Sequence, residues 1–202
     1  MRAKKDYSGV VVWLDPATAA PPPAASARAR MVQKDKSFQP HLLTISAGST
    51  VDFPNFDPIF HSAFSNYNGQ PFDVGLYPPG ANRSVRFTRP GVVRVFCNIH
   101  AAMSAVIVVL DTPYFSSTKK DGSFEIAGVP PGAYWLRLFH ERSTEGVLAE
   151  LARRVTVTGA QPLTVTPVSI SESGYLAIPH QNKYGRDYPA EPDEHDYVGP
   201  KK

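Results

Sequence analysis

Residues 97–103 (Cys-Asn-Ile-His-Ala-Ala-Met) constrain this chain most, because they place a thiol, an imidazole and a thioether within one short segment. The segment directly follows an apolar, β-type run at residues 92–96. Copper in proteins favours a trigonal arrangement of two imidazoles and one thiolate with a long, weak axial methionine. Cys97, His100 and Met103 supply three of these four ligands. The sequence therefore predicts a site for one copper ion that takes a second imidazole from another segment.

His61 is the best source of that imidazole. It follows a predicted strand at residues 50–53, and the turn at 55–58 (Asn-Phe-Asp-Pro) is expected to bring it to the pole of the Cys97 loop. The rival is His41, which opens a strand after a proline and is expected to be structural. The other histidines are expected at the surface or in contact with a partner; they are His140, His180 and His195.

The alternative to a metal site uses the same residues differently. Cys97 would be a small buried apolar residue, Met103 would fill the core, and His100 would lie at the surface. His61 would then be a core histidine with its hydrogen bonds satisfied. The β-strand context and the presence of His61 favour the metal site over this alternative.

Short apolar runs between turns rich in Gly, Pro and Asp predict an all-β fold. The first set of predicted strands lies at residues 9–14, 41–45, 50–53, 72–77, 84–87, 92–96 and 105–110. A second set lies at 123–126, 133–139, 154–158 and 163–168, while 147–153 suits a short helix or a strand. Seven strands in about 100 residues are typical of a Greek-key sandwich. We predict a Greek-key β-sandwich at 1–111, a small β-sandwich at 112–170, and an extended tail at 171–202.

Several classes of protein are disfavoured by composition. The net charge is +3 with Lys and Arg scattered along the chain, so we expect no nucleic-acid partner. No apolar stretch approaches the ~20 residues that cross a bilayer, so no transmembrane segment is expected. The N-terminus lacks an apolar signal core, so the chain is either cytosolic or has lost a signal peptide. A lone cysteine forms no internal disulfide and leaves the compartment open.

Residues ~9–111 resemble the cupredoxins, the superfamily of plastocyanin, amicyanin and azurin. The spacing of the Cys97 loop resembles the short ligand loop of amicyanin. The whole chain resembles more closely the cupredoxin-like "methylamine utilization protein" group. The segments that carry this resemblance are 31–41, 53–58, 72–77, 97–100 and 111–115. The group name records gene neighbourhood, so it implies a copper fold and no particular reaction.

The resemblance implies copper-ligand roles for four residues, which are His61, Cys97, His100 and Met103. It also implies a hydrogen bond that joins the two ligand loops. Cupredoxins commonly have Asn after the first histidine and Ser or Thr after the cysteine, whereas here Ser62 and Asn98 exchange these types. The proline that follows the ligand histidine in amicyanin is replaced by Ala101.

The implied function is one-electron transfer through a mononuclear blue-copper site, with no enzymatic activity. The implied location is the periplasm, after removal of a signal peptide. We expect a redox protein, such as a cytochrome or a dehydrogenase or oxidase complex, to dock near His100 on a small apolar patch. The residues expected in that patch are Pro58, Ile59, Ala101 and Ala102. The alternatives are a copper-binding docking subunit and a copper-trafficking protein.

Two further observations bear on these alternatives. The chain has three methionines, of which one is near the predicted site, and this disfavours a Met-rich trafficking protein. A multicopper oxidase needs His-x-His pairs, and the sequence contains none.

Residues 121–140 resemble a carboxypeptidase-regulatory or transthyretin-like module, which implies support or binding. The tail mixes Tyr, Pro and charged residues and is expected either to dock onto another surface or to remain disordered.

Overall fold

The computed structural model describes residues 6–18, 21–22, 25–66, 69–176 and 179–189. Strands dominate this part of the chain, which confirms the predicted all-β class. In chain order the elements are β1 (Val10–Pro16), β2 (Arg28–Arg30), β3 (Val32–Lys34), β4 (Ser37–Gln39), β5 (Leu42–Ser46), β6 (Thr50–Pro54), β7 (His61–Ser65), β8 (Phe72–Tyr77), β9 (Asn82–Arg86), β10 (Gly91–Phe96), β11 (Ser104–Leu110), β12 (Phe115–Ser117), β13 (Gly132–His140), α1 (Glu145–Leu151) and β14 (Arg153–Val157).

Two sheets enclose the main core. The five-stranded sheet has the order β5-β11-β10-β7-β8, and the three-stranded sheet has the order β2-β6-β9. Pairing is antiparallel except where β5 meets β11 and β2 meets β6. The buried residues of this core are Met31, Phe38, Ile45, Val51, Phe53, Ala63, Tyr77, Phe87, Val93, Val95, Cys97, Met103, Ala105, Ile107 and Val109. Fully burying one large apolar side chain contributes about 1.5–3 kcal/mol, so this core is the main source of stability.

A third sheet, β12-β1-β13-β14, packs on the outer face of the five-stranded sheet. Val106, Val108 and Leu110 of β11 contact Val11 and Phe139 of this third sheet, while alternate residues of β11 face the main core. Because β11 is covered on both faces, its sequence is a continuous apolar run and not an alternating one.

The predicted position of the first strand is wrong. Residues 9–14 were expected in the N-terminal sandwich, but β1 lies between β12 and β13 and pairs with β13 over its whole length, from Val10 with His140 to Pro16 with Tyr134. The apolar run of β1 suits either sheet, so local pattern could not distinguish them. The division of the chain into domains at residue 111 stays a prediction.

The C-terminal part contains fewer strands than predicted. Residues 123–126 and 163–168 form no strand, although Phe124, Ile126 and Val165 pack against the outer face of the third sheet. Residues 147–153 fall mainly in helix α1, which begins at the N-cap Thr144, whose hydroxyl accepts a hydrogen bond from the backbone of Val147. The described C-terminal residues thus form one sheet covered by a helix and loops, where a second small sandwich was predicted.

No helix in the described ranges combines the length and apolarity needed to span a membrane. The elements that place the site are β7, β10 and β11. His61 is the first residue of β7, and Cys97 directly follows the last residue of β10, which pairs with β7. The loop 97–103 then returns into β11, so adjacent strands hold both segments at one pole of the sandwich.

Candidate metal centre

Three of the predicted ligands converge in the structure. The Nδ1 atoms of His61 and His100 lie 3.8 and 3.6 Å from the sulfur of Cys97. All three potential ligand atoms lie within 4.8 Å of one another. His61 and Cys97 are completely buried, whereas His100 is partly exposed. Segments 36 residues apart therefore bring two imidazoles and one thiol to a single point.

The separations match those of ligands that share one ion. First-row metals bind thiolate sulfur at about 2.3 Å and imidazole nitrogen at about 2.0–2.1 Å. Two such bonds at tetrahedral to trigonal angles place sulfur and nitrogen about 3.6–3.8 Å apart. The observed distances fall in this range. The atoms that face one another are two imidazole nitrogens and one sulfur, each of which can bind a metal ion. A cation between the three atoms satisfies all of them.

The tautomer of His61 is fixed by Asp57, which sequence reasoning assigned only to a turn. The Nε2 atom of His61 lies 2.7 Å from a carboxylate oxygen of Asp57 in a buried contact. An ionised carboxylate accepts hydrogen bonds only, so Nε2 carries a proton and donates. Nδ1, which faces Cys97, is then the nitrogen that can bind a metal. Carboxylate–histidine–metal arrangements of this kind orient the ring and raise its basicity.

The carboxylate of Asp57 is itself held by a tight turn. Asp35 and Lys36 connect β3 and β4 with positive φ angles of 55° and 49°, as in a type I′ hairpin turn. Their backbone N–H groups donate to Asp57 at 2.6 and 2.9 Å. Burial raises the pKa of Asp57, but the Lys36 N–H, His61 and the Asp35 N–H outweigh it, so the net pKa lies below its ordinary value. Asp57 therefore stays charged and joins the hairpin to the site.

The loop that carries Asp57 is built around Asn55, which is fully buried. The side-chain amide of Asn55 donates to the carbonyl of Ile59 at 2.8 Å, and its oxygen accepts from the backbone N–H of Asp57 at 3.0 Å. These bonds hold the chain between β6 and β7 in one conformation. Asp57 therefore reaches His61 four residues later.

The environment of Cys97 favours the thiolate. Burial raises the pKa of the thiol, but hydrogen bonds from His61, from the backbone of Ile99 and Ser62, and from His100 lower it to about 6. Burial lowers the pKa of His61, but Cys97 and Asp57 outweigh this and raise it above its ordinary value. The Cys97 sulfur and the Asp57 carboxylate thus face the two ring nitrogens of His61, and both favour a protonated ring when no metal is bound. A metal ion would replace the proton on Nδ1, because Nε2–H is held by Asp57.

The hydrogen bond predicted between Ser62 and Asn98 is present. The backbone N–H of Asn98 donates to the hydroxyl oxygen of Ser62 at 2.7 Å. The Ser62 hydroxyl in turn lies 3.8 Å from the sulfur of Cys97 and donates towards it. The two ligand segments are thus joined directly beside the sulfur.

Backbone hydrogen bonds close the Cys97 loop on itself. The N–H of Cys97 donates to the carbonyl of Met103, and the N–H of Met103 donates to the carbonyl of His100, both at 3.1 Å. Met103 is fully buried and packs in the same core cluster as Cys97. Its role as a fourth ligand stays a prediction.

The two loops that carry Asp57 and His100 expose apolar side chains. Pro58, Ala101 and Ala102 are exposed and Ile59 is half-buried. The larger exposed side chains on the same two loops are Phe56 at 62%, Phe60 at 49% and Ile99 at 42%. Sequence reasoning missed these three, although Phe60 directly precedes His61 and Ile99 directly precedes His100 in the sequence.

The other histidines that the structure describes, His41, His140 and His180, lie outside the cluster of ligand atoms. His41 contacts Glu141 through Nε2 at 2.6 Å and the carbonyl of Ser104 through Nδ1 at 3.1 Å, in keeping with a structural role. His140 lies in β13, and its Nδ1 is buried. His180 was expected at the surface or in contact with a partner. Instead its ring stacks on Phe96 at a centroid distance of 4.1 Å. His195 lies outside the described residues.

No protein-family model and no curated protein matches this chain. Similar solved structures include the copper-containing nitrite reductase NirK of Thermus scotoductus SA-01, 26% identical over 47% of this chain, with a TM-score of 0.40. A purple cupredoxin of Nitrosopumilus maritimus is 22% identical over 40% of this chain and 98% of its own, with a TM-score of 0.36. A reduced amicyanin mutant is 16% identical over 48% of this chain and 98% of its own, with a TM-score of 0.38. The chain spans 25% of the nitrite reductase chain.

Proposed function

We propose that this protein is a one-electron carrier of the cupredoxin type in which His61, Cys97 and His100 would hold one copper ion, with Met103 as a weak fourth ligand. The observation that carries the proposal is the convergence of both imidazoles on the Cys97 sulfur at 3.6–3.8 Å. The donor set of two imidazoles and one thiolate is the one that copper takes in electron-transfer proteins.

The residues present suit copper on chemical grounds. A soft thiolate selects copper over the hard cations that prefer oxygen ligands, and imidazole suits copper equally well. Asp57 leaves His61 one available nitrogen, and burial excludes water from His61 and Cys97. When bound, the copper ion supplies a reversible one-electron couple.

The protein's own contribution is rigidity. Neighbouring strands fix His61 and Cys97, the loop bonds fix His100 and Met103, and the Ser62–Asn98 hydrogen bond joins the two segments. A site held in this way changes little when an electron arrives or leaves. Four protein ligands leave no position for a substrate, and on this ground we propose a carrier and not an enzyme.

His100 is the proposed point of electron exchange, because it is the one imidazole of the cluster that is partly exposed. Exposed apolar residues on the flanking loops, which include Phe56, Phe60 and Ile99, suit a small and short-lived interface. We propose that a redox protein, such as a cytochrome or a dehydrogenase or oxidase complex, docks there. The proposed location is the periplasm, which rests on the resemblance to cupredoxin-like proteins.

The test is direct electrochemistry of the copper-loaded protein with NMR measurement of self-exchange. The proposal predicts a reversible one-electron wave and self-exchange fast enough to broaden resonances near His100. His41→Gln is the matched control, because His41 lies outside the cluster and should leave both results unchanged. An irreversible wave, or copper lost rapidly to a weak chelator, would favour the trafficking or docking alternatives instead.

A further inference from the structure

The C-terminal segment 179–189, here called the strap, lies across the start of the Cys97 loop. It contacts Phe96, Cys97 and Asn98 there. The ring of His180 stacks on Phe96 at 4.1 Å with an interplanar angle of 29°. The hydroxyl of Tyr188 donates to the carbonyl of Cys97 at 2.7 Å. The sequence predicted only that the tail docks somewhere or stays disordered, so this placement is a finding of the structure.

Lys183 anchors the strap independently of Tyr188. Its backbone N–H donates to the side-chain oxygen of Asn98 at 2.9 Å, and its carbonyl accepts from the Asn66 amide at 3.2 Å. Its ammonium group forms an ion pair with Asp73 of β8 at 2.8 Å. These contacts fasten the strap to the edge of the sheet that carries His61, so the Tyr188 contact is a part of a larger docked surface.

The Tyr188 hydroxyl begins a chain of hydrogen bonds that ends on the proposed ligand sulfur. It donates to the carbonyl of the peptide group between Cys97 and Asn98. The N–H of the same peptide group donates to Ser62 at 2.7 Å, and the Ser62 hydroxyl donates towards the Cys97 sulfur. Donors arranged in series polarise one another, so each bond strengthens the next by about 10–30%.

His180 extends this chain by one group. Its Nδ1 lies 3.1 Å from the Tyr188 hydroxyl oxygen. The carbonyl oxygen of Cys97 can only accept a hydrogen bond. Tyr188 therefore donates its single hydroxyl proton to this oxygen, which at 2.7 Å is also the nearer of the two partners. Nδ1–H of His180 then donates to the tyrosine oxygen. The stack on Phe96 holds the His180 ring in the orientation that this bond needs.

We propose that Tyr188 is a positioning residue of the metal centre and that the strap tunes the electron density on the Cys97 sulfur through this relay. The inference rests on the proposed copper function. Hydrogen bonds to the thiolate stabilise its negative charge, which weakens its donation to Cu(II) more than to Cu(I). The intact relay therefore raises the reduction potential, and its removal lowers it.

The test compares Tyr188→Phe with Tyr184→Phe in the full chain. Tyr184 is a matched control because it lies on the same strap and is 69% exposed. In the copper-loaded protein, Tyr188→Phe should lower the ratio of Cu(I) to Cu(II) affinity about twofold to threefold. At 59 mV per tenfold change for one electron, this is a downward shift of about 20–30 mV. Tyr184→Phe should leave the potential unchanged.

A second measurement uses the apoprotein and does not depend on copper. The amide proton of Asn98 should exchange with solvent about threefold faster in Tyr188→Phe, because its bond to Ser62 loses polarisation. The amide of Lys183 should be unaffected, since the strap keeps its own anchors. Equal acceleration at Lys183 would mean that the strap has detached, and this would overturn the relay. An unchanged potential or an unchanged Asn98 rate would overturn it as well.

Absence of a thiolate–copper band in the wild type would contradict the proposed function, whereas the apoprotein exchange rates would still decide the relay.

Discussion

Replacing Asp57 by Asn tests whether the carboxylate controls the metal-binding form of His61. One oxygen of Asp57 accepts from Asp35 N–H, and the other accepts from Lys36 N–H and His61 Nε2. The best placement of an amide keeps the oxygen towards Lys36 and His61 and sets its NH₂ group against the Asp35 N–H. One hydrogen bond to a charged group is then lost, which costs about 1.5–3 kcal/mol of folding stability.

The effect on metal binding is separate from this loss of stability. His61 keeps a neutral acceptor in place of a charged one, so its basicity falls. Loss of such a supporting group costs 10–100-fold in metal affinity. Because the hydrogen bond from His61 is kept in Asp57→Asn, we expect a loss at the lower end of this range, about tenfold or ~1.4 kcal/mol. Competition with a chelator measures the copper affinity, and urea unfolding of the apoprotein measures the stability.

Asp52→Asn is the matched control for this experiment. Asp52 is also a buried carboxylate with a lowered pKa, held chiefly by Arg28 and, to a lesser degree, by Ser84, but it lies in β6 away from the site. Its replacement should reduce stability by a similar amount and leave copper affinity unchanged. Equal affinities in Asp57→Asn and the wild type, or an equal loss of affinity in the control, would refute the assigned role of Asp57.

Four further predictions follow from the electrostatics of Cys97, the exposure of His100 and the packing of the core. The pKa of Cys97 near 6 predicts that thiolate ultraviolet absorbance of the apoprotein titrates with a midpoint near pH 6; a midpoint near 9.0, the ordinary value for a thiol, would contradict the site electrostatics. Folding lowers the pKa of Cys97, so its ionisation stabilises the folded state fully above pH 9, and this stabilisation is lost as the pH falls towards 6. The unfolding free energy of the wild-type apoprotein, minus that of Cys97→Ser, should therefore increase as the pH rises from 6 to 9. His100→Gly should open a coordination position that added imidazole fills, and it should slow self-exchange; unchanged self-exchange kinetics would exclude His100 as the exchange point. Phe53→Ala removes a fully buried ring from the main core and should cost about 3–5 kcal/mol in urea unfolding, with a cost below 1 kcal/mol arguing against the core described here.

The ligand cluster was predictable because its members are chemically distinctive and closely spaced. Cys97, His100 and Met103 lie in one loop, and a lone cysteine beside a histidine restricts the alternatives. His61 was harder to place, because β7 is buried on both faces and its sequence does not alternate. The sequence predicted a turn at 55–58 and no strand after it, whereas the structure shows a strand that begins with His61 itself.

The parts that sequence reasoning missed depend on long-range pairing. The apolar pattern of β1 is the same whichever sheet it joins, and only its pairing with β13 decides the matter. Asp57 was part of a recognised turn, but its role follows from a hairpin more than twenty residues earlier. Tyr188 lies 91 residues from Cys97 in sequence, and no local pattern connects the two. Local patterns thus predicted the candidate ligands, and tertiary contacts supplied the groups that orient their side chains.

The most direct test of the copper site is the visible absorption spectrum of the protein loaded with one equivalent of Cu(II). A thiolate and two imidazoles on one copper ion predict an intense charge-transfer band in the visible region, absent from Cys97→Ser and reversibly bleached by one electron. This ligand assignment predicts that His61→Ala also abolishes the band, because the second imidazole comes from that residue. A spectrum with only weak visible absorption, or a strong band that survives in Cys97→Ser, would contradict it.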